Sequence, residues 1–159
     1  MVRRSQLLRA VIAAAATSIV LVACTSSSSG GAGSVTVGTA SSASLGTFLT
    51  GPSGKTLYTH AGDSANTSTC TGSCLTAWPP LTVTAGQQPA GGSGVTGQLG
   101  TFSRSDGSVQ VTYNGLPLYY WQGDAKPGDA AGQSVGGFSV AQATSGAPKP
   151  SKSSGGHGY

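Results

Sequence analysis

The ten-residue pattern G-x-x-L-Y-x-x-x-G-D occurs twice in this chain, at residues 54–63 (GKTLYTHAGD) and 115–124 (GLPLYYWQGD). The tetrapeptide LGTF lies upstream of each copy, at residues 45–48 and 99–102. Repeated units of this size bury their apolar faces by packing against each other. Two copies are too few for a solenoid, so the pattern predicts one small domain made of two related β units.

The N-terminal residues have the form of a bacterial lipoprotein signal. Three arginines precede an uncharged apolar run at residues 10–22, which is typical of a secretory signal and shorter than the roughly 20 residues of a membrane-spanning helix. The stretch LVAC, which ends at Cys24, resembles the lipobox of bacterial lipoproteins. We therefore expect residues 1–23 to be removed and Cys24 to be acylated, with an ordinary cleaved signal as the alternative.

Composition divides the remainder into three parts. Residues 24–34 are the acylated cysteine and a Ser/Gly tether, residues 35–144 are the two-unit β domain, and residues 145–159 are a Ser-, Gly-, Pro- and Lys-rich tail that we expect to be disordered. Two or more acyl chains give a stable membrane anchor. The predicted location is thus outside the cytoplasm, on the cell membrane.

The net charge of +4 lies mostly in the signal. Without its three arginines, five basic side chains face four aspartates, which leaves +1. This balance provides no extended basic surface, so we predict no nucleic-acid partner. The chain contains no glutamate, and two of its four aspartates, Asp63 and Asp124, occupy the same position of the repeated pattern.

The local patterns predict a mainly β fold. Thr, Val, Tyr and Gly dominate the central residues, and helical periodicity is missing there. Asp106-Gly107 and Asn114-Gly115 are strong hairpin turns, which predict a three-stranded meander. A short helical turn is expected at residues 71–78, before two prolines, and a joining loop at residues 86–98. The predicted strands are 35–40, 44–50, 55–60, 99–104, 108–113, 116–121 and 137–141.

Several of these motifs resemble the bacterial secreted-repeat lipoproteins described by a Y-x4-D motif. The motif is present as Tyr58-x4-Asp63 and Tyr119-x4-Asp124. CTGSCLTAWPPL follows the first copy, and NGLPLYYW and DAKPGDAAGQSVGGF surround the second. The resemblance covers about residues 45–141. The family has no established biochemical function, so the resemblance implies a location and a fold but no catalytic residues.

Cys70 and Cys74 are the cysteines that remain once Cys24 is acylated. In an oxidising exterior such a pair normally forms a disulfide, and a C-x3-C spacing permits one if the backbone turns. The alternative is a copper or thiol-redox site, because thiolates and imidazole suit copper and His60 lies ten residues before Cys70. No other cofactor is predicted.

The repeated tyrosines and aspartates have two interpretations. Paired carboxylates can perform acid–base chemistry, but an aspartate after glycine also accepts backbone N–H bonds in a turn, and a tyrosine can pack its ring while its hydroxyl finds a partner. Recurrence in both units favours the structural role of Tyr58, Asp63, Tyr119 and Asp124. The sequence also lacks nucleophile, phosphate-binding and zinc-protease motifs, and an enzyme is therefore disfavoured.

Aromatic side chains provide the remaining candidate for a site. In LYYW at residues 118–121, alternation directs Leu118 and Tyr120 to one face and Tyr119 and Trp121 to the other. Trp78, Tyr120 and Trp121 are therefore candidate contacts for an envelope glycan or protein, unless both faces are core. The sequence as a whole predicts a lipid-anchored binding or structural module, with a copper or redox protein as the alternative.

Overall fold

The computed structural model describes residues 34–143, and every structural statement below refers to them. The predicted signal, the acylated Cys24, most of the tether and the tail lie outside the described residues. Ten short elements follow one another. These are β1 (Thr36–Ser42), β2 (Gly46–Thr50), β3 (Tyr58–His60), α1 (Cys74–Ala77), β4 (Thr82–Val83), β5 (Ala90–Gly91), β6 (Leu99–Ser103), β7 (Val109–Tyr113), β8 (Leu116–Pro117) and β9 (Phe138–Val140).

The strands form three small sheets, which confirms the mainly β fold. One has the order β2-β1-β5, the second pairs β3 with β9, and the third has the order β4-β7-β6 with β8 also on β7. All pairs are antiparallel except β1 with β5. None of the helices among residues 34–143 has the length and apolarity needed to cross a membrane.

The predicted hairpins are present, but the third strand of the meander is short. Asn114 and Gly115 both have positive φ, of 50° and 85°, as a two-residue primed turn requires. The strand predicted to end at residue 121 stops at Pro117. The chain then leaves β7, because the backbone of Tyr119 pairs with Tyr58 and the N–H of Tyr120 donates to Pro79 O.

The loop predicted between the units contains the two-residue strand β5. Ala90 N donates to Val35 O and Gly92 N donates to Val37 O, both at 2.8 Å. A Cβ at Gly92 would lie 3.3 Å from Val37 O, so glycine permits this close parallel pairing. The predicted helical turn is confirmed as the single turn α1.

Two apolar clusters lie on opposite sides of the central strands. The first core contains Val37, Leu49, Leu57, Leu81, Val83, Val111, Tyr113, Leu118, Ala141 and Ala143. The second core contains Phe48, Tyr58, Cys70, Trp78, Tyr119, Phe138 and Val140. In each repeat, therefore, the motif leucine enters the first core and the adjacent tyrosine enters the second, as strand alternation requires.

The glycines of the repeated pattern also have a physical reason in both copies. Gly54 and Gly115, which open the pattern, have φ of 74° and 85° and turn the chain before the strand. Gly62 and Gly123, which precede the aspartates, lie under aromatic rings. A Cβ at Gly62 would lie 2.9 Å from the His60 ring, and one at Gly123 would overlap the Trp121 indole.

Candidate functional site

The two repeats meet at their motif tyrosines. Tyr58 N donates to Tyr119 O at 2.8 Å, and Tyr119 N donates to Tyr58 O at 2.9 Å. Both tyrosines are fully buried. This reciprocal backbone pair joins the same position of the two ten-residue patterns.

Each tyrosine hydroxyl binds the aspartate of the other repeat. Tyr58 Oη donates to Asp124 Oδ2 at 2.8 Å, and Tyr119 Oη donates to Asp63 Oδ2 at 2.6 Å. The second carboxylate oxygen fixes the loop that follows. Asp63 Oδ1 accepts the Thr69 N–H, and Asp124 Oδ1 accepts the Ala131 N–H. The repeated polar side chains thus form two crossed links between the repeats, in keeping with the structural interpretation.

Burial shifts the acid–base behaviour of these groups. The pKa of Tyr119 is raised to about 12, first by burial and then by its bond to the Asp63 carboxylate. Burial and the Asp124 carboxylate raise the pKa of Tyr58 further still. Burial also raises the pKa of Asp124, partly offset by the bond from Tyr58. The two phenols therefore remain protonated donors at neutral pH.

These shifts predict a loss of stability at alkaline pH. The unfolded phenols ionise near 10.0, whereas folded Tyr58, Tyr119 and Tyr120 all have raised pKa values. Between those values the unfolded state binds fewer protons than the folded state, so stability falls as pH rises above 10. A near-UV absorbance titration should show Tyr58, Tyr119 and Tyr120 ionising above the ordinary tyrosine pKa and together with unfolding. Ionisation of Tyr58 and Tyr119 at the ordinary tyrosine pKa in the folded chain would contradict the crossed links.

Four rings lie in a row in the second core, and the last of them, Trp121, is tilted by 35° against Trp78. His60 stacks on Phe138 with centroids 4.4 Å apart, and Phe138 stacks on Trp78 at 3.7 Å. The centroids of Trp78 and Trp121 are 4.3 Å apart. His60 and Trp121 are the last residues of LYTH and LYYW and lie at the two ends of the row. Tyr58 meets Trp78 edge-on, with centroids 5.2 Å apart.

The candidate ligand-binding aromatics lie mainly inside the domain. Trp78 is buried at 5% exposure, whereas Tyr120 and Trp121 are half-buried. Tyr120 packs against the first core and Trp121 against the second, so both faces of LYYW contribute to packing. Their role in binding a glycan or protein stays a prediction.

Cys70 and Cys74 form a disulfide, with a Cα–Cα distance of 5.4 Å. On loop-closure grounds, so small a ring stabilises the fold by about 2 kcal/mol. His60 Nδ1 lies 3.1 Å from Thr69 Oγ1 and 3.4 Å from Asp63 Oδ1. Residues 34–143 contain no group of three or more His, Cys, Asp or Glu side chains placed to hold a metal. The copper or redox hypothesis for these three residues stays a prediction, and it requires prior reduction of the disulfide.

Arg104, which sequence reasoning missed, fastens the disulfide segment to the third sheet. Its side chain is 5% exposed. Nη2 donates to Cys70 O at 2.7 Å, and Nη1 donates to Gln110 Oε1, whose amide in turn donates to Leu118 O. Nε lies 3.7 Å from Asp106 Oδ2. An arginine two residues before Asp106-Gly107 resembles an exposed turn residue, and only the folded chain brings it beside Cys70.

Two depressions of about 230 Å³ each lie between the Asn66–Thr71 loop and strand β6, and they meet at Asn66. We call the pair the loop groove. Asn66 has φ of 55°, and its N–H donates to Gly115 O, which ties the loop tip to the turn after β7. The loop groove lies beside the crossed links, because Asp63 and Tyr119 hold the base of the same loop.

The repeats also identify the family of the chain. A family model described as a secreted repeat of unknown function matches residues 39–82 and residues 100–139, more than half of the 159 residues. The chain belongs to this family. Each match contains one copy of the ten-residue pattern, which confirms the resemblance and the duplication. Membership of a secreted family indicates an extracytoplasmic protein. Among curated proteins and solved structures, no match was found.

Proposed function

We propose that this secreted-repeat protein is a lipid-anchored binding module of the cell envelope. The observation that carries the proposal is the pair of crossed tyrosine–aspartate links. The recurring polar groups of the repeated pattern are buried and bonded to each other, so they build a scaffold. Any recognition is then left to the surfaces that the scaffold holds in place.

The anchor and the location are supported by the N-terminal sequence. The basic start, the short apolar run and LVAC before residue 25 together have the order of a lipoprotein signal. The Ser/Gly tract of residues 25–34 would hold the domain away from the bilayer. Such a spacer would let a binding module reach partners beyond the lipid headgroups.

Two measurements on the full chain test this proposal. Mass analysis of the cell-derived protein should show a mature chain that begins at an acylated Cys24, and fractionation should place it with the membrane. Cys24→Ala should abolish the acylation and the membrane association, whereas Ser27→Ala in the tether should leave the acylation and the membrane association unchanged. An unmodified Cys24 in a soluble mature chain would refute the anchor.

The binding role has its own test. Cys24→Ala protein should still sediment with envelope material from which lipids have been extracted by detergent. Heat-unfolded protein provides the comparison for non-specific adsorption. If folded protein stays entirely in the supernatant, the binding role is wrong and a purely structural one replaces it.

A further inference from the structure

We propose that the loop groove is a binding site for a neutral glycan, a chain of uncharged, polyhydroxylated sugar units. This inference deepens the proposed function and rests on it, since it names the site and the ligand class of the binding module. Four properties of the groove support it: its shape, its free polar side chains, its charge balance and the hydrogen bonds that fix the Asn66–Thr71 loop as its wall.

The shape of the loop groove suits consecutive small units of a polymeric ligand. Each depression has about 230 Å³, which is below the roughly 300–1,000 Å³ of sites that enclose a drug-sized ligand. Two such depressions side by side, separated by the exposed Asn66, suit two neighbouring units of a polymer.

The lining presents hydroxyl and amide groups that remain free for a ligand. Thr71 and Ser105 line the first depression and are exposed. Within residues 34–143, their hydroxyls make no hydrogen bond to the protein. Gln98, which is also exposed, brings a side-chain amide to the second depression. Hydroxyl and amide groups both donate and accept, which matches the mixed donors and acceptors of sugar hydroxyls.

The charge balance favours an uncharged ligand. Among the described residues that line the two depressions, Arg104 alone carries a charge. Both of its Nη atoms are bonded within the protein, and Asp106 lies beside its Nε. Phe102, which is half-buried in the first depression, adds an aromatic surface for the apolar face of a sugar ring.

The wall of the loop groove is held rigid before any ligand binds. Asp63 Oδ1 accepts the N–H and the hydroxyl of Thr69, each at 2.8 Å. Ser68 Oγ lies 2.6 Å from Tyr119 Oη, and the Arg104 guanidinium holds Cys70 O. A wall fixed in this way reduces the ordering cost of binding. Because the links exist in the free protein, the repeated pattern and the proposed site are physically connected.

Strand addition by an extended peptide is the competing occupant, because β6 is the edge strand of its sheet. Asn114 N donates to Gln98 O, and Arg104 N donates to Ser108 O. The even-numbered residues of β6 are therefore the ones whose backbone groups bond to β7. Leu99, Thr101 and Ser103 therefore direct their backbone groups to the free edge. The second depression, however, includes Gly100 and Thr112, which pair with each other across β6 and β7. It therefore lies over the face of the sheet, whereas an added peptide strand would lie along the free edge of β6.

The test uses the full-length chain in detergent micelles and beads coupled to defined probes. These are neutral oligosaccharides of hexose units, neutral oligosaccharides of N-acetylhexosamine units, oligosaccharides of uronic acid units, and an alternating Thr/Val peptide. The loss variant combines Thr71→Ala, Gln98→Ala and Ser105→Ala, which removes two free hydroxyls and one free amide. The control combines Ser44→Ala, Ser53→Ala and Ser93→Ala, three exposed serines outside the groove lining.

We expect one of the neutral oligosaccharides to bind, and the loss variant to bind it roughly tenfold or more weakly, since several neutral hydrogen bonds are removed together. Binding by the control variant and the melting temperature of both variants should be unchanged. Equal binding by the loss variant would refute the site. Selective capture by the uronic acid beads or the peptide beads would refute the ligand class. If the chain sediments with envelope material but binds no neutral probe, the glycan inference fails while the proposed function stands.

Discussion

Replacing Tyr58 with phenylalanine is expected to lower the free energy of unfolding by about 3 kcal/mol, because it leaves a buried carboxylate oxygen without its donor. Tyr58 is fully buried and Asp124 is 1% exposed. The same hydroxyl also accepts the Gly132 N–H at 3.3 Å, so a second buried group loses its partner. Urea unfolding followed by circular dichroism measures the loss.

The neighbouring tyrosine provides the matched control. Tyr120 is half-buried, and within residues 34–143 its hydroxyl makes no hydrogen bond. Tyr120→Phe should therefore change the free energy of unfolding by less than about 0.5 kcal/mol. Equal effects of the two substitutions would mean that the link from Tyr58 to Asp124 contributes nothing specific.

Replacing Trp78 with alanine is expected to cost about 4 kcal/mol, the range for removing a large buried aromatic side chain. The indole lies between the rings of Phe138 and Trp121 and also contacts Tyr58 edge-on, so its loss opens a cavity in the second core. Trp121→Ala removes a half-buried ring from the end of the row and should cost less than half as much. Thermal or urea unfolding measures both. A larger loss for Trp121 would show that the row depends on its outer end.

The parts of the fold that the sequence predicts well are those in which a local pattern fixes the backbone. Asn114-Gly115 requires positive φ at two successive residues, and only a hairpin turn uses that geometry with alternating flanks. The leucine and tyrosine of each pattern point to opposite sides for the same local reason, and both sides are core. The disulfide between Cys70 and Cys74 could also be predicted locally, because a separation of four residues limits where the chain can turn.

The missed features depend on contacts distant in sequence. The pattern Tyr-x4-Asp shows that two groups recur, but not that Tyr58 binds Asp124 in place of its own Asp63. Strand β8 ends early because Tyr119 pairs with Tyr58. Local strand propensity cannot predict this pairing. Arg104 reaches Cys70 across 34 positions of the chain. The loop groove depends on scattered Ser, Thr and Asn side chains, which in a sequence are indistinguishable from ordinary surface residues.

The repeated tyrosines and aspartates form the scaffold by binding across the repeats, and a pair of double-mutant cycles measures this directly. Tyr58→Phe is combined with Asp124→Ala in one cycle and with Asp63→Ala in the other. We predict a coupling energy of about 2 kcal/mol for Tyr58 with Asp124, and below about 0.5 kcal/mol for Tyr58 with Asp63. A strong coupling of Tyr58 to Asp63, with none to Asp124, would show that each repeat closes on itself and would contradict the crossed scaffold.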